Sequence, residues 1–221
     1  IKASTTFPQM DLFPFSVDKE SYWYTCESNI GDFDYDGKKD IMMTGKNDTK
    51  GMIVLVRPDG TEPYDIDQNV TISSGFSELP VKGEASPVLA DLLGNAEPCM
   101  LVPTRNYGTT NYLCCISTLD KDGDNLPDTL WNVATNGPIY RSVVVADIDF
   151  PDGKGEKEII VKSEVADTPI LVYDAYGNIK RIIGEGCFPS SFYATLSVSD
   201  LNNDGYKEII CGLSNKIYVW K

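Results

Sequence analysis

The chain has 221 residues, with 33 Asp and Glu against 19 Lys and Arg, a formal net charge of −14, and no histidine. That balance excludes a phosphate-neutralising nucleic-acid surface, which needs clustered Lys and Arg. The missing histidine excludes Ser-His-Asp and Cys-His centres, His-ligated zinc and a His general base.

At 42% hydrophobic and 10% aromatic residues, the composition supports a packed core, and the length fits one all-β domain or two small ones. The chain opens Ile1-Lys2-Ala3 without Met, so a removed leader or a piece of a longer protein is expected. No run reaches the ~18 apolar residues that would span a membrane. The six cysteines (Cys26, Cys99, Cys114, Cys115, Cys187 and Cys211) show no C-x-x-C spacing, and most sit in apolar runs such as Tyr112–Ile116. Buried free thiols are therefore expected over a disulfide framework, which belongs to much shorter chains.

One grammar recurs along the chain: a short apolar strand, an acidic loop, then a second apolar strand. It runs from Ile30-Gly31-Asp32 to Asp40–Met43, from Val88–Asp91 to Met100–Val102, from Val144–Asp147 to Glu158–Val161, and from Val198–Asp200 to Glu208–Cys211. The leading aspartates at 32, 91, 147 and 200 are separated by 59, 56 and 53 residues. A near-constant period of that size marks one supersecondary unit repeated about four times. Third strands are predicted at Met52–Val56, Tyr112–Ser117, Ile170–Tyr173 and Ile217–Trp220, with Gly-bearing turns at Arg57–Gly60 and Asp174–Asn178. More polar fourth strands follow, as at Thr129–Val133 and Ile179–Ile183. No ten-residue stretch carries a 3.6 period, so the fold class is all-β.

Four-stranded units repeated radially are the blades of a β-propeller. The expected blades are 20–83, 84–136, 137–187 and 188–221. The last lacks a fourth strand, and Ile1–Phe7 reads as a fourth strand without its blade. Either the two complete each other in a closed four-bladed ring, hiding the sheet edges, or the chain is a section of a larger propeller.

The loops carry the chemistry. Asp32, Asp34, Asp36 and Asp40 occupy loop positions 1, 3, 5 and 9, with Gly37 at 6 and the Lys38 carbonyl at 7. Asp200, Asn202, Asp204, Gly205, Tyr206 and Glu208 repeat that layout. A tight turn brings 1, 3 and 5 to one side, Gly at 6 allows a positive φ, and the acid at 9 closes the set. Hard oxygen donors without His or Cys select Ca²⁺. In the third copy Asp147, Asp149, Asp152 and Glu158 are expected to converge despite an insertion of three residues, while the second, after Asp91, lacks acids at 3 and 5 and is expected to keep the turn without an ion. A fifth acidic loop has Asp120, Asp122, Asp124 and Asp128 at 1, 3, 5 and 9, Asn125 at 6 and Leu126 at 7, but falls where the other units have plain turns. Metal-binding and structural readings of it are balanced. About three calcium ions are expected, with a fourth if this loop binds.

At these residues the chain resembles the FG-GAP/VCBS repeats of the integrin-alpha-type β-propeller. Residues 30–43 and 197–211 match the pattern closely, 143–161 with an insertion and 87–102 loosely. The resemblance implies calcium-loaded blades, in secreted or cell-surface proteins that serve adhesion or ligand binding. The lost acids after Asp91 and the small number of blades depart from that family.

Two functions follow as expectations. The first is a non-catalytic, calcium-stabilised extracellular module that binds a protein or a polysaccharide, without membrane insertion, as part of a larger chain or assembly. Loops of this kind fill at the dissociation constants of about 10⁻⁴–10⁻³ M of extracellular modules. The alternative is an enzyme fragment resembling the calcium-rich propellers of polysaccharide lyases of the rhamnogalacturonan type. The short length and the absence of histidine weigh against it, and no carboxylate pair can be named among 33 acids.

Overall fold

A computed structural model of the chain describes residues 28–33, 36–46, 51–61, 77–79, 85–105, 110–117, 119, 121–123, 128–141, 143–149, 156–163, 165, 167–186, 195–213 and 215–221. Every regular element among them is a strand. The expectations at Ile1–Phe7, Cys26, Asp34, Asp120, Asp124, Leu126, Asp152 and Cys187 lie outside the described residues.

The strands form four separate antiparallel sheets, each a simple up-and-down meander. The first comprises β1 (Asn29–Gly31), β2 (Asp40–Lys46), β3 (Gly51–Val56) and β4 (Ser77–Leu79). The second comprises β5 (Val88–Ala90), β6 (Cys99–Pro103), β7 (Asn111–Ser117) and β8 (Thr129–Thr135). The third comprises β9 (Val144–Ala146), β10 (Glu158–Lys162), β11 (Ile170–Tyr173) and β12 (Ile179–Ile183). The fourth has three strands among the described residues, β13 (Leu196–Ser199), β14 (Glu208–Leu213) and β15 (Lys216–Trp220). The strand at 129 runs two residues beyond its expected end, because Thr135 still pairs with Asn111.

Central strands read as unbroken apolar runs because both of their faces are covered. Met100, Val102, Cys114 and Ile116 pack against Phe33, Met42, Ile53 and Leu55 of the first unit. Their neighbours Cys99, Leu101, Leu113 and Cys115 point the other way, onto Ile159, Val161, Leu171 and Tyr173. Ile160, Ile170 and Val172 then cover Ile209 and Cys211 of the fourth sheet. In the second and third sheets the period of two thus splits each central strand between two cores, stacking the four sheets in chain order. Outer strands are wetter: β12 is exposed along most of its length. On the far face of the fourth sheet Ile217 and Val219 stand exposed.

The turns are repeated as closely as the strands. Gly60 and Gly177, at φ of 81° and 83°, each donate back to the residue that opens the turn, Arg57 and Asp174. After the second of these turns β12 carries a bulge, with Lys180 as the extra residue between the partners of Val172 and Tyr173. The first strands of neighbouring sheets lie side by side. Asn29 Nδ2 donates to the Pro87 carbonyl at 3.0 Å, and β5, β9 and β13 line an open depression of about 570 Å³.

Candidate functional site

The acidic loops that open at Asp32, Asp91, Asp147 and Asp200 each join the first and second strands of a sheet, and Asp91, Asp147, Lys157 and Lys207 line that depression. The fourth loop shows the full pattern. Asp200 accepts the backbone N–H of Asp204 at Oδ1 (3.2 Å) and of Gly205 at Oδ2 (2.8 Å). Asn202 Oδ1 accepts from Asp204 N at 3.0 Å, and Asp204 Oδ1 from Tyr206 N at 2.9 Å. The buried Glu208 reaches back to accept the N–H of Leu201 at 2.9 Å. Gly205 has φ of +90° and Asn203 of +59°, the left-handed conformation that Gly adopts freely and Asn tolerates. Positions 1, 3, 5, 7 and 9 therefore lie on one compact turn.

The first loop repeats these bonds. Asp32 Oδ2 accepts from Gly37 N at 3.1 Å, Asp36 Oδ1 from Lys38 N at 2.8 Å, and buried Asp40 Oδ2 from Phe33 N at 3.0 Å. The Lys38 backbone N–H, then its ammonium, hold the Asp36 carboxyl below the usual range. Asp32 Oδ1 is buried without a hydrogen-bond partner in the structure.

The third loop keeps the bond from position 2 to position 9, Ile148 N to Glu158 Oε2 at 2.9 Å. Two basic side chains of β12 occupy the second oxygen of Glu158 and the carboxylate of Asp149. Lys180 Nζ donates to Glu158 Oε1 at 2.7 Å and pairs with Asp149, which also pairs with Arg181. Burial opposes a charge on Lys180, but its bonds to Asp149 and Glu158 prevail and raise its pKa. Sequence reasoning missed Lys180 and Arg181, because only strand order brings β12 across β11 to this loop.

The second loop keeps the turn with fewer acids. Asp91 accepts from Asn95 N and Ala96 N at 3.1 and 3.0 Å, and Asn95 Oδ1 accepts from Glu97 N at 3.0 Å. Cys99 takes the place of the position-9 acid. The fifth loop, on the β7–β8 hairpin, carries the bond that marks the acidic loops: Lys121 N donates to Asp128 Oδ2 at 2.7 Å. Gly123 there has φ of +85°, and Asp122 is exposed.

Neighbouring loops are tied together by the residue before position 9. Lys157 N donates to the Leu92 carbonyl at 2.8 Å, and Lys207 Nζ to the Asp147 carbonyl at 2.9 Å. A further cation, Lys221, pairs with Asp204. Among the described residues no group of three or more Cys, Asp or Glu side chains is drawn together as a cation cage. Their oxygens face backbone N–H groups and ammonium groups instead. The donor set of the first and fourth loops still fits a hard divalent cation. It is all oxygen, its acids are crowded, and Asp32 Oδ1 is left buried with no donor. The third loop fits less well, since Lys180 and Arg181 already pair with its Asp149 and Glu158.

No family model matches the chain, and no curated protein matches it. Among solved structures it is similar to the V. cholerae biofilm matrix protein Bap1, at 15% identity and a TM-score of 0.28. The match covers 82% of this chain and 43% of that one, so the chain spans less than half the length of that neighbour. A likeness of that size carries no argument about fold or function. No helix among the described residues is long and apolar enough to cross a membrane.

Proposed function

We propose that the chain is a calcium-stabilised, non-catalytic β-propeller module of the extracellular space, binding a protein or a carbohydrate, with its four sheets as blades. The observation that carries this reading is the bond from the position-2 N–H to the position-9 carboxylate, repeated at Phe33–Asp40, Ile148–Glu158 and Leu201–Glu208. Three copies at the same turn of three sheets point to a shared role, not to incidental acidity. The stacking of sheets in chain order, with the first strands of the second, third and fourth sheets around one depression, supports a radial arrangement. The exposed Ile217 and Val219 are then a face for a neighbouring blade to cover.

Asp32, Asp34, Asp36, Asp40 and the Lys38 carbonyl would hold one ion. Asp200, Asn202, Asp204, Glu208 and the Tyr206 carbonyl would hold a second, and Asp147, Asp149, Asp152 and Glu158 a third in competition with Lys180. Calcium would supply positive charge where acids are crowded, cross-bracing the turn between the first two strands of a blade. The position-9 acids hold the loop backbone, and loops between blades are left to present the binding surface.

Native mass spectrometry of the chain in calcium, with thermal unfolding before and after chelation, tests the reading. Bound ions and a lower Tm in excess EGTA support it. A protein that retains no calcium and unfolds identically with and without EGTA defeats it. A glycan and extracellular-protein binding array, read with and without calcium, then separates the two ligand classes.

A further inference from the structure

Two thiols meet beneath a surface cavity where the second loop has lost its acids. Antiparallel register pairs Cys99 with Ser117 and Leu101 with Cys115, making Cys99 and Cys115 diagonal neighbours on one face of the second sheet. Cys115 Sγ–H donates to Cys99 Sγ at 3.1 Å, and Cys99 Sγ–H to the Ala90 carbonyl at 3.5 Å. Both cysteines are free thiols. Both also form part of the wall of a cavity of about 290 Å³, with Leu93, Leu130, Trp131 and Tyr176 around them. Leu93, Leu130 and Tyr176 are exposed, so the cavity opens to solvent. Cys114, next in the chain, faces the opposite core and lies against Met42 and Ile53.

We propose that Cys99 and Cys115 are an oxidation site: hydrogen peroxide entering this cavity converts the pair into a cross-strand disulfide. The Cys99 thiolate attacks one peroxide oxygen, the O–O bond breaks, and hydroxide leaves and becomes water with the proton released from Cys99. Cys99 is then a sulfenic acid. Cys115 Sγ attacks that sulfur, its proton joins the departing hydroxyl as a second water, and the S–S bond forms. Two thiols are oxidised and one peroxide is reduced to two waters. The sulfurs have only about 1 Å to close to reach disulfide length.

The roles of the two sulfurs follow from their hydrogen bond. Accepting from Cys115 lowers the Cys99 pKa against the opposing effect of burial, while donating that bond, together with burial, raises Cys115. Cys99 is thus the attacking thiol and Cys115 the resolving one. Cys114 has no such partner, and burial pushes it up to about 12. None of this depends on calcium.

The test treats the folded, reduced chain with hydrogen peroxide, blocks remaining thiols after unfolding, and maps peptides by mass spectrometry. A linked pair joining Cys99 to Cys115, lighter by two hydrogens, is expected, and it persists in Cys114→Ser. In Cys115→Ser the sulfenic acid at Cys99 accumulates and is captured by dimedone. Full alkylation of both thiols after peroxide treatment overturns the proposal, as does linkage through Cys114. Because Cys115→Ser acts in a core, the wild-type linkage map alone is enough to decide.

Discussion

Glu208 Oε2 accepts the N–H of Leu201 at 2.9 Å, so the first residue of β14 clamps the start of the loop that precedes it. Glu208→Ala removes a buried acceptor and strands that N–H, which costs about 1–3 kcal/mol. Glu208→Gln keeps an oxygen in place and is expected to lose less than half as much. Urea unfolding of the two variants measures the difference; equal losses would show that the charge, not the bond, matters.

Calcium stabilises the folded state by mass action if the first and fourth loops bind it. With dissociation constants of about 10⁻⁴–10⁻³ M, 10 mM calcium contributes roughly 1.4–2.7 kcal/mol per loaded loop. Asp32→Asn, at the residue whose Oδ1 is buried and unpaired, is expected to remove the share of the first loop. The check is the shift in Tm between calcium and EGTA, which should shrink in this variant and stay constant in Asp91→Asn.

Lys180 acts on the third loop in two opposite ways. Its ammonium bridges Asp149 and the buried Glu158, so Lys180→Met destabilises the calcium-free chain by about 1–2 kcal/mol, given that Lys180 is partly exposed. The same change removes a competing cation and raises calcium affinity at Asp147, Asp149 and Glu158. Calorimetric titration of calcium into Lys180→Met should show an extra or tighter site; unchanged binding would mean that this loop holds no ion.

Acid weakens the fold through depressed carboxyls. Hydrogen bonding and the charge of Lys221 lower Asp204. At Asp149 burial works against the charge, but the Lys180 bond and the neighbouring cations outweigh it and lower the pKa. At Asp174 burial is likewise outweighed, by bonds from Asn178 and Tyr176. A folded-state pKa below the ordinary 3.8 contributes stability above that value and loses it as pH falls through the folded value. Tm is therefore expected to hold from about pH 7 to pH 5 and to drop below about pH 4. A Tm that rises on acidification would contradict these ion pairs.

Position 6 of the loop is left-handed whether or not the acids are present: Gly37 has φ of +85° and Ala96 of +64°. Gly37→Ala places a Cβ in open space yet strains the backbone, at a cost of about 1 kcal/mol. Ala96→Gly relieves the same strain and is expected to stabilise by up to ~1 kcal/mol. Opposite signs in denaturant unfolding would verify that the two turns share one backbone.

Much of the fold is legible in the chain because the repeat encodes it locally. Apolar pairs ending in Ala-Asp or Ser-Asp, the glycine at position 6 and the Asp-x-x-Gly turn act within a few residues, so strand limits at Ile170–Tyr173 and Ile179–Ile183 coincide with the structure. The oxygen-rich loops are readable for the same reason. What the sequence by itself determined is thus the all-β class, the four units and the donor chemistry of their loops. Only the tertiary structure decided how the central strands divide their two faces between cores, that Lys180 and Lys221 reach the loops, and that Cys99 meets Cys115 while Cys114 faces away. Those outcomes rest on strand register and on packing between residues far apart in the chain, which local spacing does not carry.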